Sequence, residues 1–311
     1  MIGLAQRTVV ICIALVALSA CTSDGTLWEE YSEAGISAYS EGDYEAAEAH
    51  FASALEVSER SGKVDERLAT SLNNLATAYT ALGRHGGSEA LFNRALAIRE
   101  NLFGRKSPIV ATTLSNLGET YRILGRYDDA ETALLRSLVI REQALGRDHP
   151  KVAMTLNNLT ALYRNQDRLE EALDAAERVL TIRRASLAPD HPLIANSLNN
   201  LASVHRSMGH ADMAESEYRQ ALTIREKSLG PDHPDVAVTL NNLAVLAQSG
   251  GQVKQAEIML KRALDIQQRA LPDDHPDIAV TLRNYAAVLR ATGRGTDAMF
   301  LERQADQIEG G

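Results

Sequence analysis

The chain has 311 residues, of which 45% are apolar, 23% charged and only 5% aromatic, and its formal charge is −9. This acidic balance argues against a nucleic-acid-binding protein, because the phosphate backbone attracts a basic surface. With only two cysteines, the chain has neither a disulfide-stapled fold nor a zinc module built from cysteines.

The first twenty residues differ from the rest of the chain. They carry a single charge, Arg7, followed by the apolar stretch 8–18. This stretch is shorter than the roughly 20 apolar residues that a membrane-spanning helix needs. A charged start, an apolar middle and small residues at the end are typical of a secretory signal. We therefore predict that residues 1–20 are a signal peptide.

The end of this segment, Leu18-Ser19-Ala20-Cys21, resembles the lipobox of bacterial lipoproteins. The resemblance implies that Cys21 is acylated, for instance with palmitate, and that residues 21–27 form a lipidated tether. The residue after the cysteine is Thr22 and not aspartate. In lipoproteins of this type, that implies a location at the outer membrane of a bacterial cell envelope, facing the periplasm. An ordinary signal peptide with a chance cysteine is the alternative.

One motif recurs through the remainder of the chain. It reads Leu-Asn-Asn-Leu-Ala in its first copy and returns with small variations. Its first leucine recurs every 42 residues without an insertion, and Tyr285 replaces the second leucine of the last copy. The first leucines are Leu72, Leu114, Leu156, Leu198, Leu240 and Leu282. Self-similarity at a period of this length indicates a solenoid.

Each repeat is predicted to form two helices. Leu156, Leu159, Thr160 and Tyr163 have the i, i+3, i+4, i+7 spacing of an amphipathic helix. Most copies then carry a glycine, which tolerates the left-handed conformation at a helix end, before a second apolar-periodic stretch. A shorter copy over residues 31–60 brings the number of repeats to seven.

These repeats resemble the tetratricopeptide family, with small residues at Ala76, Ala202 and Ala244 and aromatic residues at Tyr79 and Tyr121. The 42-residue period resembles its kinesin light chain class. The resemblance covers residues 28–309 and implies an all-α, right-handed superhelical solenoid of antiparallel helix pairs. Three residues depart from the family pattern, and we expect looser packing around them. They are Thr160, His205 and Ala247.

The loops between repeats carry Asp-His-Pro, as at Asp148-His149-Pro150. Successive repeats are about 8–10 Å or more apart, whereas the ligands of one zinc lie about 2 Å from the metal. We therefore predict helix-start residues and no metal site, since proline suits the first turn of a helix. No phosphate loop, nucleophile elbow or zinc-protease motif occurs in the sequence. We expect no catalytic residue and no cofactor.

A row of asparagines recurs within the motif. Asparagine is a mediocre helix former, so repeated use of one position needs a reason. In the kinesin light chain class, asparagines at this place line the groove and bind a peptide backbone; the alternative is hydrogen bonding between neighbouring repeats. The candidate residues are Asn74, Asn116, Asn158, Asn200, Asn242 and Asn284, with Asn157, Asn199 and Asn241 beside them.

Arginines recur seven residues after the first asparagine of the motif. At 100° per residue, Asn157 and Arg164 lie within about 20° of each other on the side opposite the packing leucines. We predict a ladder of arginines in the groove, suited to a ligand with acidic groups. The alternative is that each pairs locally, as Arg122 could with Glu119. The candidates are Arg122, Arg164, Arg206 and Arg290.

The last repeat has a polar face where earlier repeats are apolar. Asp306 stands at a position that leucine occupies in earlier repeats, where we expect it to pack on the next repeat; these residues are Leu96, Leu138, Leu180, Leu222 and Leu264. Terminal repeats need such a face for solubility, so we expect the array to be complete at Gly311 and the protein to be a monomer.

The sequence therefore predicts a non-catalytic, membrane-tethered scaffold or adaptor in envelope assembly or regulation. Its partner would be a protein or extended peptide, because solenoid curvature creates long concave surfaces. The alternative is an enzyme or small-molecule receptor built on the solenoid, which would need a convergent polar pocket.

Overall fold

The computed structural model describes residues 24–310. Over that range the chain forms 14 α-helices joined by short turns, and consecutive helices pack as seven antiparallel pairs. The helices are α1 Asp24–Ser40, α2 Tyr44–Arg60, α3 Glu66–Ala81, α4 His85–Phe103, α5 Pro108–Ile123, α6 Tyr127–Leu145, α7 Pro150–Asn165, α8 Leu169–Ser186, α9 Pro192–Ser207, α10 Ala211–Leu229, α11 Pro234–Ser249, α12 Val253–Ala270, α13 Pro276–Ala291 and α14 Gly295–Gly310.

The helices fall into two compact units. The first unit ends at Leu145 and contains α1 to α6, and the second begins at Gly146 and contains α7 to α14. The prediction of an all-α fold built from helix pairs is confirmed. None of the helices described here is long and apolar enough to cross a membrane.

The predicted signal peptide and Cys21 lie outside the described residues. The predicted tether, 21–27, lies partly within them, and there it is helical. Helix α1 begins at Asp24, four residues before Trp28. The indole Nε1 of Trp28 donates to the Ser71 hydroxyl of α3 at 2.7 Å, so α1 is fixed to the second helix pair as well as to its own.

The Asp-His-Pro loops start helices, as predicted. A proline occupies the first turn of α7, α9, α11 and α13. The residue before it is a histidine whose Nδ1 accepts a hydrogen bond from the backbone N–H two residues later, at 3.1 or 3.2 Å. The histidines therefore cap helices, because each satisfies one of the N–H groups that a helix start leaves without a partner.

Each helix pair turns through one residue in the left-handed region, with φ between 58 and 83°. Six of these residues are glycines, which adopt this conformation at no steric cost. The fourth pair uses Asp167, at φ 58°, the single non-glycine residue with positive φ in the described part of the chain. The turn of this pair therefore forms without a glycine.

The core of each unit lies between the helices of a pair and extends to the next pair. Leu96, Leu222 and Leu264 of the second helices pack against buried residues of the first helix that follows them, as predicted. Contacts are close where the small residue of the motif lies. A Cβ built on Gly118 would be 2.6 Å from Cγ of Leu134, so Leu134 packs directly against the backbone of α5.

The three departures from the family pattern have different outcomes. Thr160 is buried, and its hydroxyl donates to the Leu156 carbonyl at 2.9 Å. His205 is also buried, with its Nδ1 2.8 Å from Oε2 of Glu217. The prediction of looser packing was wrong at His205, because a polar partner compensates for the missing tyrosine. It is confirmed at Ala247, which borders a cavity of about 340 Å³.

Candidate binding surface on the first helices

The asparagines of the motif form hydrogen-bonded pairs between neighbouring first helices. In each pair, the side-chain amide of the motif's second asparagine donates to the side-chain oxygen of the first asparagine in the preceding repeat. The described pairs are Asn116 with Asn73 at 3.4 Å, Asn200 with Asn157 at 2.7 Å, Asn242 with Asn199 at 3.1 Å and Asn284 with Asn241 at 3.0 Å.

In the second unit these pairs lie at the surface and use only part of each amide, whereas Asn73 of the first unit is buried. In the second unit the paired asparagines are all half-buried, so solvent reaches them. An asparagine side chain has two donor hydrogens and an oxygen with two lone pairs. The bond between Asn200 and Asn157 uses one hydrogen of Asn200 and one lone pair of Asn157. Donors and acceptors therefore remain on both residues.

Two of the four candidate arginines form ion pairs. Arg122 donates from Nε and Nη2 to the two carboxylate oxygens of Glu119, at 2.9 and 2.6 Å, and this hydrogen bonding raises the pKa of Arg122. Arg290 donates to Glu302 of α14 at 2.5 Å. Glu302 is twelve residues away, on the other helix of the pair, so proximity in sequence did not reveal it. These two arginines follow the local-pairing alternative.

The other two candidates lie in the second unit, on α7 and α9. Arg164 and Arg206 are both half-buried. Within the described residues, Arg206 makes no ion pair, and its Nε is buried without a hydrogen-bond partner. Seven residues, or about two helical turns, separate it from Asn199. The surface of α7 and α9 therefore combines amide groups with a guanidinium that carries unsatisfied donors.

A set of arginines, of which Arg99 and Arg225 are buried and Arg183 is half-buried, was missed by sequence reasoning. Arg99, Arg183 and Arg225 lie near the ends of second helices and donate to a serine or threonine of the next first helix. The bonds are Arg99 to Thr113 at 2.8 Å, Arg183 to Ser197 at 2.9 Å and Arg225 to Thr239 at 2.6 Å. These residues hold the helices that carry the surface in register.

The described residues contain no group of three or more His, Cys, Asp or Glu that could hold a metal ion. The histidines of the Asp-His-Pro loops, for instance, each cap their own helix. The arrangement of amide and guanidinium groups along the first helices is suited to binding through hydrogen bonds and charge.

The sequence matches the tetratricopeptide repeat family over residues 31–101, 109–185, 161–227 and 193–269. These matches extend over most of the chain, and the chain belongs to the tetratricopeptide repeat family. No curated protein matches it in sequence.

Several solved structures are similar to this chain. BtubC (BKLC) from P. vanneervenii is 26% identical, with a TM-score of 0.59, over 74% of this chain and 91% of its own. A kinesin light chain of Podosopora anserina with nearly identical TPR-like repeats is 25% identical, with a TM-score of 0.54, over 65% and 96% of the two chains. The predicted likeness to kinesin light chain repeats is confirmed.

A Rap protein complexed with Competence and Sporulation Factor shares the fold. It is 15% identical, with a TM-score of 0.69, over 95% of this chain and 78% of its own. At this identity the likeness concerns the fold alone.

Proposed function

We propose that this tetratricopeptide scaffold is held at the membrane by a lipid on Cys21 and binds an extended protein segment along its first helices. The segment carries acidic groups, and the protein acts without catalysis in the assembly or regulation of a bacterial cell envelope. The observation that carries the proposal is the row of half-buried asparagine pairs beside Arg206.

The asparagine pairs support binding to a peptide backbone. Each peptide unit presents one N–H donor and one C=O acceptor, and a side-chain amide can satisfy both. The bonds between repeats hold the amide planes in place, so binding loses less side-chain entropy than it would with mobile side chains. The structural role and the binding role of the row are therefore compatible.

The arginines support an acidic partner. A guanidinium binds a carboxylate with two parallel hydrogen bonds, and Arg206 has donors available for one. The whole chain has a charge of −9, so attraction to an acidic segment has to be local. Exposed charges more than about 8 Å apart are largely screened at physiological salt. The arginines that contact the segment therefore act on its acidic groups more strongly than the distant negative charges of the chain do.

A photoreactive side chain on the first-helix face tests the proposal. Met154 lies one turn before Asn158 and is 57% exposed, whereas Ile258 lies on the second helix α12 and is 70% exposed. We expect a crosslinker at Met154 to capture a partner in the native envelope, and a crosslinker at Ile258 to miss that partner. Mass spectrometry then identifies the captured segment. Equal capture from both positions would contradict binding along the first helices.

Charge reversal tests the acidic partner. Arg164→Glu with Arg206→Glu should abolish capture at Met154, and rising salt should weaken capture by the wild type. Arg269→Glu with Arg303→Glu is the matched control, because both of these arginines lie on second helices and are exposed. Unchanged capture by the first double variant would leave its arginines with a solubilising role only.

The asparagine row has its own test. Asn200→Ala should cost about 1 kcal/mol of stability, because it breaks the bond to Asn157, and it should also reduce capture at Met154. A loss of stability with undiminished capture would assign the row to structure alone.

The lipid anchor is tested separately. Growth with labelled palmitate should label the wild type, and Cys21→Ser should remove both the label and the protein's presence in the membrane fraction. A Cys21→Ser protein that still incorporates the label would refute the lipidation site.

A further inference from the structure

A cavity of about 340 Å³ opens between α10, α11 and α12, entirely within the second unit. Its floor is apolar and includes Leu243, Leu246 and Met259. Its rim is polar, with Asp212, Glu215 and Arg219 on α10, Gln252 directly before α12 and Gln255 on α12. This site lies on the second-helix side of the repeats and shares no residue with the candidate surface on the first helices.

The cavity exists because the sixth helix pair lacks a ring that earlier pairs have. Tyrosine occupies the position of Ala247 in the second, third and fourth pairs. An arginine five residues later lies over each ring, with its guanidinium carbon 4.4 to 5.7 Å from the ring centroid. The pairs are Arg84 over Tyr79, Arg126 over Tyr121 and Arg168 over Tyr163. In the sixth pair this arginine is replaced by Gln252.

The same arginine normally joins two helix pairs. Arg126 donates to Glu89 of the preceding second helix at 2.8 Å, and Arg294 donates to Glu257 at 2.6 Å. At the cavity the equivalent carboxylate is Glu215. Because Gln252 carries no charge, the ion partner of Glu215 is Arg219 on its own helix, at 2.6 Å and well exposed to solvent.

A second carboxylate is available at the rim. Asp212, one turn before Glu215, is exposed and forms no ion pair among the described residues. The site therefore lacks the aromatic ring and the arginine from the following helix pair that other repeats have, while Arg219 of α10 is the one cation that lines it. It retains the apolar floor, and Asp212 keeps the rim acidic.

We propose that this cavity binds an aromatic side chain, with an adjacent basic side chain, from an exposed segment of a partner protein. The ring enters the space that tyrosine fills in the other repeats. The space is sufficient, because an apolar cavity of about 150 Å³ already binds benzene. The basic group of the partner lies over the rim and pairs with Glu215 or Asp212, as Arg126 pairs with Glu89.

The dipeptide N-acetyl-Tyr-Arg-amide is the probe, and the ¹³C-methyl signal of Met259 in the full chain is the readout. Met259 lines the cavity, whereas Met154 and Met299 lie elsewhere on the surface and serve as internal controls. We expect millimolar binding that shifts Met259 alone. N-acetyl-Tyr-Glu-amide should bind at least five-fold more weakly, and N-acetyl-Ala-Arg-amide should leave Met259 unmoved.

A filled variant keeps the test independent of folding. Ala247→Tyr with Gln252→Arg rebuilds the pair found in the other repeats, so it should raise the melting temperature and abolish the shift of the methyl at position 259. Glu215→Gln with Asp212→Asn should remove the preference for Tyr-Arg over Tyr-Glu. Capture at Met154 should be unchanged in the filled variant, which separates this site from the proposed first-helix surface.

Several outcomes would overturn the proposal. They are an unmoved Met259 at saturating Tyr-Arg peptide, an equal shift with Ala-Arg, or an undiminished shift in the filled variant. Sedimentation of the chain alone tests a second copy as the occupant. A wild-type dimer that the filled variant loses would assign the cavity to self-association and refute a separate partner.

Discussion

At the level of single residues, guanidinium groups that are buried at Arg99 and Arg225 and half-buried at Arg183 join neighbouring helix pairs. Arg99, Arg183 and Arg225 each extend from a second helix to a hydroxyl of the next first helix. Burial lowers the pKa of Arg183 and Arg225, but arginine stays charged in proteins, so these hydrogen bonds are charge-assisted and stronger than neutral ones. Gln267, buried at the same position in the sixth pair, shows that a neutral residue fits there.

We predict that Arg225→Gln lowers the free energy of unfolding by about 2 kcal/mol, because bonds to charged donors are worth about 1.5–3 kcal/mol each and glutamine replaces only some of them. The lost partners are the Asp235 carbonyl, Thr239 and Asn196, at 2.6 to 2.7 Å. Urea unfolding measures the change. Arg269→Gln, which removes an exposed pair with Asp232, should change stability by less than about 1 kcal/mol. Equal losses in both variants would contradict the role of burial.

The turn residue Asp167 is a second single-residue case. A left-handed conformation costs a non-glycine residue roughly 1 kcal/mol, so we predict that Asp167→Gly raises the free energy of unfolding by about 0.5–1 kcal/mol. Asp174→Gly, in the interior of α8, should lower it by a similar amount. Thermal unfolding of both variants is the measurement, and a destabilised Asp167→Gly protein would show that the aspartate side chain stabilises the turn.

At the scale of helices, the fifth pair differs from its neighbours in its chemistry. His205 of α9 replaces a tyrosine and contacts Glu217 of α10, and the ring of His210 lies 5.8 Å from that of His205. Burial raises the pKa of Glu217, and the bond to His205 opposes this effect. Glu177 and Arg184 of α8 also act on Glu217.

The raised pKa gives a pH dependence with a definite sign. The folded state holds the Glu217 proton more tightly than the unfolded state does, so this contribution to stability is present below about pH 4.3 and is lost as the pH rises through the raised pKa. Glu217→Gln removes the dependence. We therefore predict that the stability of this variant relative to wild type increases from pH 4 to pH 7 in urea unfolding.

The control for this pH series is Gln220→Ala on the same helix, which involves no titratable group. Its stability relative to wild type should be constant with pH. A Glu217→Gln difference that is also constant would contradict the raised pKa.

The sequence predicted the helix pairs, their turns and the packing leucines, because each of these depends on local spacing within one repeat. Hydrogen bonding between asparagines of neighbouring repeats, 43 positions apart, was one of the two alternatives for the row. The arginine bonds between repeats were not predicted, because they join residues that are 14 positions apart on different helices. A signal for them was present: Arg99, Arg183 and Arg225 each precede a serine or threonine by 14 residues. Arg290 was misjudged for a related reason, since its partner Glu302 lies on the other helix of the pair.

At the scale of the whole molecule, each helix pair contacts mainly its neighbours within its own unit, so the stability of a unit is close to a sum over its pairs and their interfaces. The face that a following pair covers in α4, α10 and α12 is polar in α14. Asp306 is exposed there, and Arg283 pairs with Asp306 at 3.0 Å and with Glu309 at 2.6 Å. We expect the chain to be a monomer because this polar face offers no apolar surface to a second copy.

We predict that Asp306→Leu makes the chain self-associate, because it places an apolar side chain on an exposed surface and leaves Arg283 with one acidic partner fewer. Sedimentation velocity at increasing protein concentration measures the effect. Arg303→Leu, an equally apolar change at another exposed position of α14, should leave the chain monomeric. Association of both variants would show that apolar character alone, at any position, is responsible.

Within the second unit, several hydrogen bonds between repeats recur at the 42-residue period, so the length of the array is adjustable in whole steps. If residues 192–233, one complete period, were deleted, Arg183 would meet Thr239 in place of Ser197, and Asn157 would meet Asn242 in place of Asn200. Each bond would find a chemically equivalent acceptor or donor. A recombination event that removes or duplicates the codons of one 42-residue period therefore yields a chain in which the helices on either side of the junction still carry matching hydrogen-bond partners. Lineages can thus vary the reach of this protein by copying, with no new interface to evolve.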